Sequence, residues 1–338
     1  MTKEFLFLSG RISALKSKLL SDSQLERMVM ANSPAEAFRV LVELQYASQF
    51  DDSTKPQDFL KIIHKGLLET KKMILDGADN DESFEFIWKN FDLNNLKRAL
   101  KIKFVEKKDD IEDSSEDNGF NWLGSLDIND IKGIIFQNKE EFIRKIPREY
   151  REVLSEAENI FSKTGDFKKI ELALDKAHFN FLKRISEGKG VPFLKKWLIR
   201  MADETNIKTF VRNLLVFKTK FTEDMFLPHG KIPFQDFTEI SEISELENLF
   251  KKHELYFLEG VLSENNSIDK NIISLERALS KEMDFFLKMS ETDALGEIEI
   301  PLVYLHQRIK NARKIKYVMM AKFYGMDSEK IYETLKHI

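Results

Sequence analysis

The sequence predicts an all-α protein made of three similar helical domains. The chain has 13 glycines and 7 prolines among 338 residues, about half the usual share of these turn-forming residues. Apolar residues recur at three- and four-residue spacing along most of the chain, whereas the alternation typical of half-buried strands is rare. These two observations predict the fold class, and a repeated polar pattern predicts the threefold division.

The N-terminal part of the sequence predicts four helices. The apolar stripe of the first comprises Ile12, Leu15, Leu19 and Leu20. Ser21 or Asp22 can cap the second helix, and Ser33 followed by Pro34 predicts an N-cap with proline at the first helical position. The apolar face of the fourth comprises Phe59, Ile62, Ile63 and Leu67. A further helix is predicted over 90–104.

An acidic segment at 109–117 interrupts the helical pattern. It contains six acidic residues and no basic residue, so it repels itself and resists packing. We interpret it either as a solvated loop or as an acidic docking segment, and we place a domain boundary near it. Helical patterns resume from about 126 to 218, and a loop with two prolines and a glycine is expected at 226–237. Further helices follow, one of which is expected to end at Gly325.

One polar pattern occurs twice at helical spacing. Asp92 and Asn95 lie one helical turn apart, and the pair recurs as Asp203 and Asn206, an offset of 111 from Asp92 to Asp203. Because asparagine is a poor helix former, its repeated placement inside a helix requires a reason. The recurrence predicts an internal repeat with a period of about 110 residues.

A second alignment predicts a third copy. Glu171 aligns with Glu276 at an offset of 105, and the same offset carries the asparagine to Asn311. Arg313 then takes the position of the lysines that follow the first two asparagines, and Arg308 takes the position of the aspartates. The predicted domains are 1–112, 113–222 and 223–338.

The repeated pair has two interpretations. A buried amide without a partner costs about 1–3 kcal/mol, so the aspartates and asparagines can fix each helix against its neighbours. Alternatively, the pattern makes the same polar contact to an external partner in each copy. A catalytic pair is not expected to recur once per domain, so we favour the structural interpretation for Asp92, Asn95, Asp203, Asn206, Asn311 and Arg313.

Several kinds of chemistry lack support in the sequence. The formal net charge is −4, without the basic excess typical of nucleic-acid binding, and there is no cysteine. No P-loop or HExxH pattern occurs, so we expect no catalytic residue, cofactor or metal site. The six histidines are expected at the surface or satisfied in the core. No signal peptide or membrane-spanning run is predicted.

The phenylalanines and the C-terminal basic residues could each form a surface that binds a partner. The phenylalanines assigned to helix faces, for example Phe179, Phe181, Phe285 and Phe286, are expected in the core, although a grouped exposed set would indicate a binding surface. From Val303 onwards there are eight basic and three acidic residues. This excess predicts either a solvated helix face or a basic surface for an acidic partner or anionic headgroups.

The chain resembles the C-type subunit of bacterial and archaeal V-type (A/V-type) ATPases, which is related to the d-type subunit of the vacuolar enzyme. The resemblance rests on FLSGRISALKSKLLS, DLNNLKRALKIK, DETNIKTFVRNLL, FLPHGKI and YLHQRIKNARKIKYVMMAKFYGMDSEKIYETL, which follow the family's order over almost the whole chain. Two positions depart from the family pattern: Arg308 replaces an acid, and His229 replaces a glycine.

The resemblance implies a funnel of three helical domains in pseudo-threefold arrangement, without an active site. Such a protein seats the central shaft, formed by D- and F-type subunits, on the membrane proteolipid ring. It transmits torque between ATP synthesis or hydrolysis and ion or proton transport, and it lies in the cytoplasm, peripheral to the membrane through the complex. The alternative is a free-standing helical-repeat scaffold that binds a protein or peptide partner.

Overall fold

The computed structural model describes residues 3–44, 46, 54–79, 81–106, 120–136, 140–188, 191–294 and 298–335. Within these ranges the chain forms helices and turns with no strand, which confirms the all-α prediction. The acidic segment 109–117 and His337 lie outside the described residues, so both interpretations of that segment stay predictions.

Fifteen α-helices occupy the described residues. The first seven are α1 (Lys3–Leu15), α2 (Asp22–Met30), α3 (Pro34–Glu43), α4 (Phe59–Gly77), α5 (Glu85–Phe104), α6 (Ile128–Phe136) and α7 (Glu140–Arg144). The remaining eight are α8 (Arg148–Thr164), α9 (Phe167–Gly188), α10 (Pro192–Arg212), α11 (Phe234–Thr238), α12 (Ile243–Lys252), α13 (Ile268–Asp293), α14 (Glu299–Phe323) and α15 (Ser328–Leu335).

Local sequence signals set several of these helix ends. Ser21 caps α2, where its side chain accepts a hydrogen bond from the Gln24 backbone N–H. Ser33 caps α3 in the same way, and Pro34 occupies the first turn. Gly325 follows α14 with a left-handed φ of 67°, as a glycine C-cap requires. These ends were predictable because each depends on residues within one turn.

The first predicted helix is shorter than its apolar stripe suggested. Helix α1 ends at Leu15 and a 3₁₀ turn follows, so Leu19 and Leu20 lie outside the helix. Leu19 adopts extended backbone, which leads the chain directly to the capping box at Ser21. The strong cap therefore overrides the helical spacing of the two leucines.

The second predicted motif helix is longer and less regular than expected. Residues 192–212 form one continuous helix, α10, and residues 213–217 widen into a π-helical turn. The expected loop at 226–237 is confirmed up to Pro233, after which the short helix α11 begins. Proline at this point supplies a favourable start to a helix because the first turn needs no amide donor from it.

The chain divides into two compact units. Residues 1–81 and 273–338 form the first, and residues 82–272 form the second. In the first unit α14 packs against α1, α2, α3 and α4; in the second, α9 packs against α5, α8 and α10. The C-terminal motif helix α14 therefore shares a core with the N-terminal helices. The threefold division at 112 and 222, and the funnel, stay predictions.

The phenylalanines assigned to helix faces divide between core and surface. Phe179, Phe181 and Phe286 are buried, as expected, whereas 59% of Phe285 is exposed. Neighbouring residues on an α-helix point about 100° apart, so Phe285 and Phe286 cannot both face the same core. Within the described ranges, no helix combines the length and the apolar character needed to cross a bilayer.

Candidate functional site

The first motif pair binds the segment that follows helix α5. Asp92 and Asn95 are both buried. The Asn95 side chain donates to the Asn121 carbonyl (2.9 Å) and accepts from the Asn121 N–H (2.7 Å). Asp92 accepts from the Leu126 N–H (3.0 Å) and the Ser125 hydroxyl (2.7 Å). We call this set the first clamp, because two side chains of one helix bind residues 121–126.

The second motif pair makes the same kind of contact from helix α10. The Asn206 side chain donates to the Leu227 carbonyl (2.9 Å) and accepts from the Leu227 N–H (2.8 Å). Asp203 accepts from the N–H groups of Lys231 (3.0 Å) and Ile232 (3.1 Å). This second clamp binds residues 227–232. Each asparagine amide thus satisfies both backbone polar groups of one loop residue, which removes the penalty for burying them.

A glycine lies at the same place in both clamps. A Cβ at Gly124 would lie 2.2 Å from Asp92 Oδ1, and one at Gly230 would lie 2.3 Å from Asp203 Oδ1. Only glycine lets the loop approach the carboxylate this closely. Both segments follow one pattern, FNWLGSL at 120–126 and FLPHGKI at 226–232. Sequence reasoning singled out the second segment and missed the first, although Phe, Gly and an aliphatic residue recur in register.

The two clamps differ in how the carboxylate charge is balanced. In the first clamp the buried Lys89 donates from Nζ to Asp92 (2.8 Å) and lies 3.1 Å from Glu85. The second clamp depends on backbone donors. Burial raises the pKa of Asp203 from its ordinary value, opposed by the hydrogen bonds from Ile232 and Lys231. Because Lys89 precedes Asp92 by three residues, helical spacing alone predicts their proximity.

At the predicted third copy of the motif, Arg308 binds backbone groups with the opposite hydrogen-bonding polarity to Asp92 and Asp203. Arg308 is 5% exposed. Its guanidinium donates to the carbonyls of Tyr46 (2.5 Å) and Lys18 (3.4 Å), and lies 3.6 Å from the centroid of the Tyr46 ring. Burial raises the pKa of the Tyr46 phenol to about 12. Asp92 and Asp203 accept from backbone N–H groups, whereas Arg308 donates to backbone carbonyls, and those carbonyls come from the N-terminal part of the chain.

The other two residues of the third copy stay outside this contact. Asn311 is half-buried and Arg313 is exposed, so the structure does not bring them together with a loop as in the first two clamps. The C-terminal basic residues are also not a single solvated face. Lys322 is buried and donates to Ser328 (3.0 Å), and Lys310 pairs with Asp284 (2.7 Å). These internal partners reduce the basic surface that the sequence suggested.

His178 is a buried titratable group that the sequence pattern did not single out. Its two ring nitrogens contact the Tyr150 hydroxyl (2.7 Å) and Asn90 Oδ1 (3.2 Å). Burial lowers its pKa to about 3, with smaller contributions from Lys97 and Lys89. The imidazole is therefore neutral at physiological pH and serves as a hydrogen-bonding bridge between helices α5, α8 and α9.

We expect stability to fall between pH 6.5 and pH 5 because of His178. The unfolded state takes up a proton near pH 6.5, whereas the folded state does not until about pH 3, so stability is lost as pH decreases. By pH 5, protonation of His178 in the unfolded state lowers the free energy of unfolding by about 2 kcal/mol. Urea unfolding at pH 7 and pH 5 should show a smaller pH-dependent loss in His178→Asn than in the unchanged chain. An NMR titration that protonates His178 in the folded protein above pH 6 would contradict this expectation.

The protein is all-helical over the described residues, and buried polar side chains of its helices bind its own backbone at two places. Within the described residues, no group of histidines and carboxylates is placed to hold a metal ion. A family model described as "ATP synthase (C/AC39) subunit" matches residues 8–334. The chain belongs to this family of V/A-type ATPase subunits.

A curated relative supports the family assignment. The chain is 22% identical over 220 residues to the C subunit of the A-type ATP synthase of Methanocaldococcus jannaschii. The aligned region covers 62% of this chain and 54% of the archaeal protein, so the chain spans about half the length of the curated relative it matches.

Proposed function

We propose that this protein is a non-catalytic central-stalk adaptor of a rotary ATPase. In this role it seats the D- and F-type shaft subunits on the membrane proteolipid ring and transmits torque for ion transport. The family match over residues 8–334 carries the proposal. In this role the protein needs no catalytic residue, cofactor or metal. It lies in the cytoplasm and is attached to the membrane through the complex.

The clamps support a mechanical role. An element that transmits torque must resist shear, and a loop bound only by its own backbone deforms readily. Each clamp instead joins a loop to the middle of a long helix through four hydrogen bonds between loop groups and buried or half-buried helix side chains. The buried bridge of His178 adds contacts among three helices. We propose that Asp92, Asn95, Asp203 and Asn206 supply stiffness and do not contact partners.

Reconstitution with the shaft subunits and the detergent-solubilised ring tests the proposal. We expect the full chain to elute with both, and rings to retain shaft subunits only when this chain is present. Asn206→Ala should leave assembly intact and lower the ions transported per ATP hydrolysed, because a looser second clamp yields under load. Asn159→Ala, on the exposed face of α8, is the matched control and should transport normally. If the unchanged chain fails to bind the shaft subunits, or fails to bind the ring, the adaptor role is rejected.

A further inference from the structure

A cavity of about 360 Å³ lies beside the C-terminal end of helix α10. It is open to solvent on one side and is bordered by the last turn of that helix, the π-helical turn, the segment 218–221 and helix α11 with the residues after it. Its volume falls within the ~300–1,000 Å³ of typical small-molecule sites. None of the clamp residues lines it, so the cavity is separate from the clamps.

Three phenylalanines form the apolar wall of the cavity. Phe210, Phe221 and Phe237 are each at most 5% exposed. Their ring centroids lie 5.3–5.6 Å apart, in tilted or edge-on arrangements. Aromatic rings packed in this geometry are stabilised by their quadrupoles as well as by burial. Only the small exposed part of these rings, together with Leu214 and Ile240, is available to an aromatic or short aliphatic group.

The π-helical turn shapes one side of the cavity. Asn213 donates to the Thr209 carbonyl (2.8 Å) and accepts from the Thr219 hydroxyl (2.7 Å), which holds the widened turn in place. Lys218, which ends the turn, has a left-handed φ of 50°. Both features cost energy relative to a regular helix end, and π-helical turns occur frequently at functional sites. Here the turn places Asn213, Leu214 and Lys218 in the cavity lining.

The rim of the cavity is positively charged. Lys218 and Lys220 line it together with the hydroxyl residues Thr219, Thr238 and Ser241, and the lining includes no acidic residue. In the described part of the chain neither lysine forms an ion pair. The Thr219 and Thr238 hydroxyls already donate to Asn213 and to the Gln235 carbonyl, so the two lysines carry the selectivity. Ammonium groups beside an apolar wall favour an anionic group attached to an apolar one.

We propose that this cavity binds a small amphiphilic carboxylate, with its aromatic or short aliphatic group against the phenylalanine wall and its carboxylate at the two rim lysines. Ligand binding in this cavity does not require the adaptor role proposed above. A ligand here would contact both α10 and α11, and so would stiffen the segment that leads into the second clamp.

An NMR titration of the full chain with three matched probes tests the proposal. We expect 3-phenylpropionate to shift resonances of the cavity lining saturably, with a Kd at least about ten-fold lower than that of 3-phenylpropan-1-ol or 3-phenylpropylamine. The double variant Lys218→Glu and Lys220→Glu should abolish the preference for the acid. The control Lys195→Glu and Lys196→Glu has the same charge change at the opposite, exposed end of α10 and should keep it.

A cavity-filling variant separates binding in the cavity from binding elsewhere. Thr238→Trp changes an exposed residue of the lining, so the protein should fold normally, as its far-ultraviolet circular dichroism would show, and lose binding of all three probes. Equal affinity for the acid and the alcohol would overturn the proposal. So would an equal loss of the preference for the acid in the Lys195→Glu and Lys196→Glu control, or undiminished binding to Thr238→Trp.

Discussion

Arg308→Asp should destabilise the protein by more than about 4 kcal/mol, although it introduces the residue type that Asp92 and Asp203 supply in the first two copies of the motif. The carbonyls of Tyr46 and Lys18 receive the guanidinium donors. A buried carboxylate would face these carbonyl oxygens without a donor, and unpaired buried charge is among the most costly of single changes. Urea unfolding monitored by circular dichroism measures the loss.

The control is Arg313→Asp, five residues further along the same helix α14. Arg313 is exposed, and surface substitutions usually change stability by less than about 0.5 kcal/mol. Arg308→Lys provides an intermediate case, because an ammonium can donate to one carbonyl but cannot stack on the Tyr46 ring as a planar guanidinium does. Similar stability of Arg308→Asp and Arg313→Asp would show that the buried contact contributes little.

Gly124→Ala and Gly230→Ala should each reduce the free energy of unfolding by about 3 kcal/mol. Each added methyl group would lie 2.2–2.3 Å from a carboxylate oxygen. That oxygen is held by a backbone N–H, from Leu126 in the first clamp and Ile232 in the second. The carboxylate cannot move aside without losing this hydrogen bond, so overpacking and hydrogen-bond loss combine. Thermal and urea unfolding of the two variants check the expectation.

Gly10→Ala is the matched control for these two variants. Gly10 is an exposed residue inside helix α1, and a Cβ there meets no atom within 4 Å. The change should stabilise the protein by about 0.5–1 kcal/mol because alanine favours a helix. In a double-mutant cycle, Gly124→Ala should cost much less when Asp92 is already alanine. An unchanged cost in that background would indicate that the carboxylate is not what requires the glycine.

If the predicted third copy is a true repeat, the same helix position serves as a hydrogen-bond acceptor in two copies and as a donor in the third. The first two use aspartate to hold the segment that follows their helix, and the third uses arginine to hold carbonyls from the N-terminal part of the chain. The next helix after α14 begins within five residues, so no loop of the length seen in the first two clamps is present there. The backbone groups that Arg308 contacts are carbonyls, and a side chain that binds carbonyls must be a donor.

Sequence reasoning reached the fold class and the residues of the first two clamps, but not their partners. Asp92 and Asn95 could be selected because a polar pair inside an apolar helix is locally visible. Gly124 could have been found from its match to Gly230, since both follow a phenylalanine by four residues. His178 gave no such signal, because its partners Tyr150 and Asn90 are 28 and 88 residues away.

Most helices, their caps and the repeated polar pattern can be read from the sequence, since they are set by residues within one or two turns of each other. What the polar pattern binds depends on how distant segments pack. The direction of each clamp depends on which backbone groups a distant segment presents to the helix, carbonyls at Tyr46 or N–H groups at Leu126 and Ile232. Every residue carries both kinds of group, so the sequence of the helix cannot show which of them will face it.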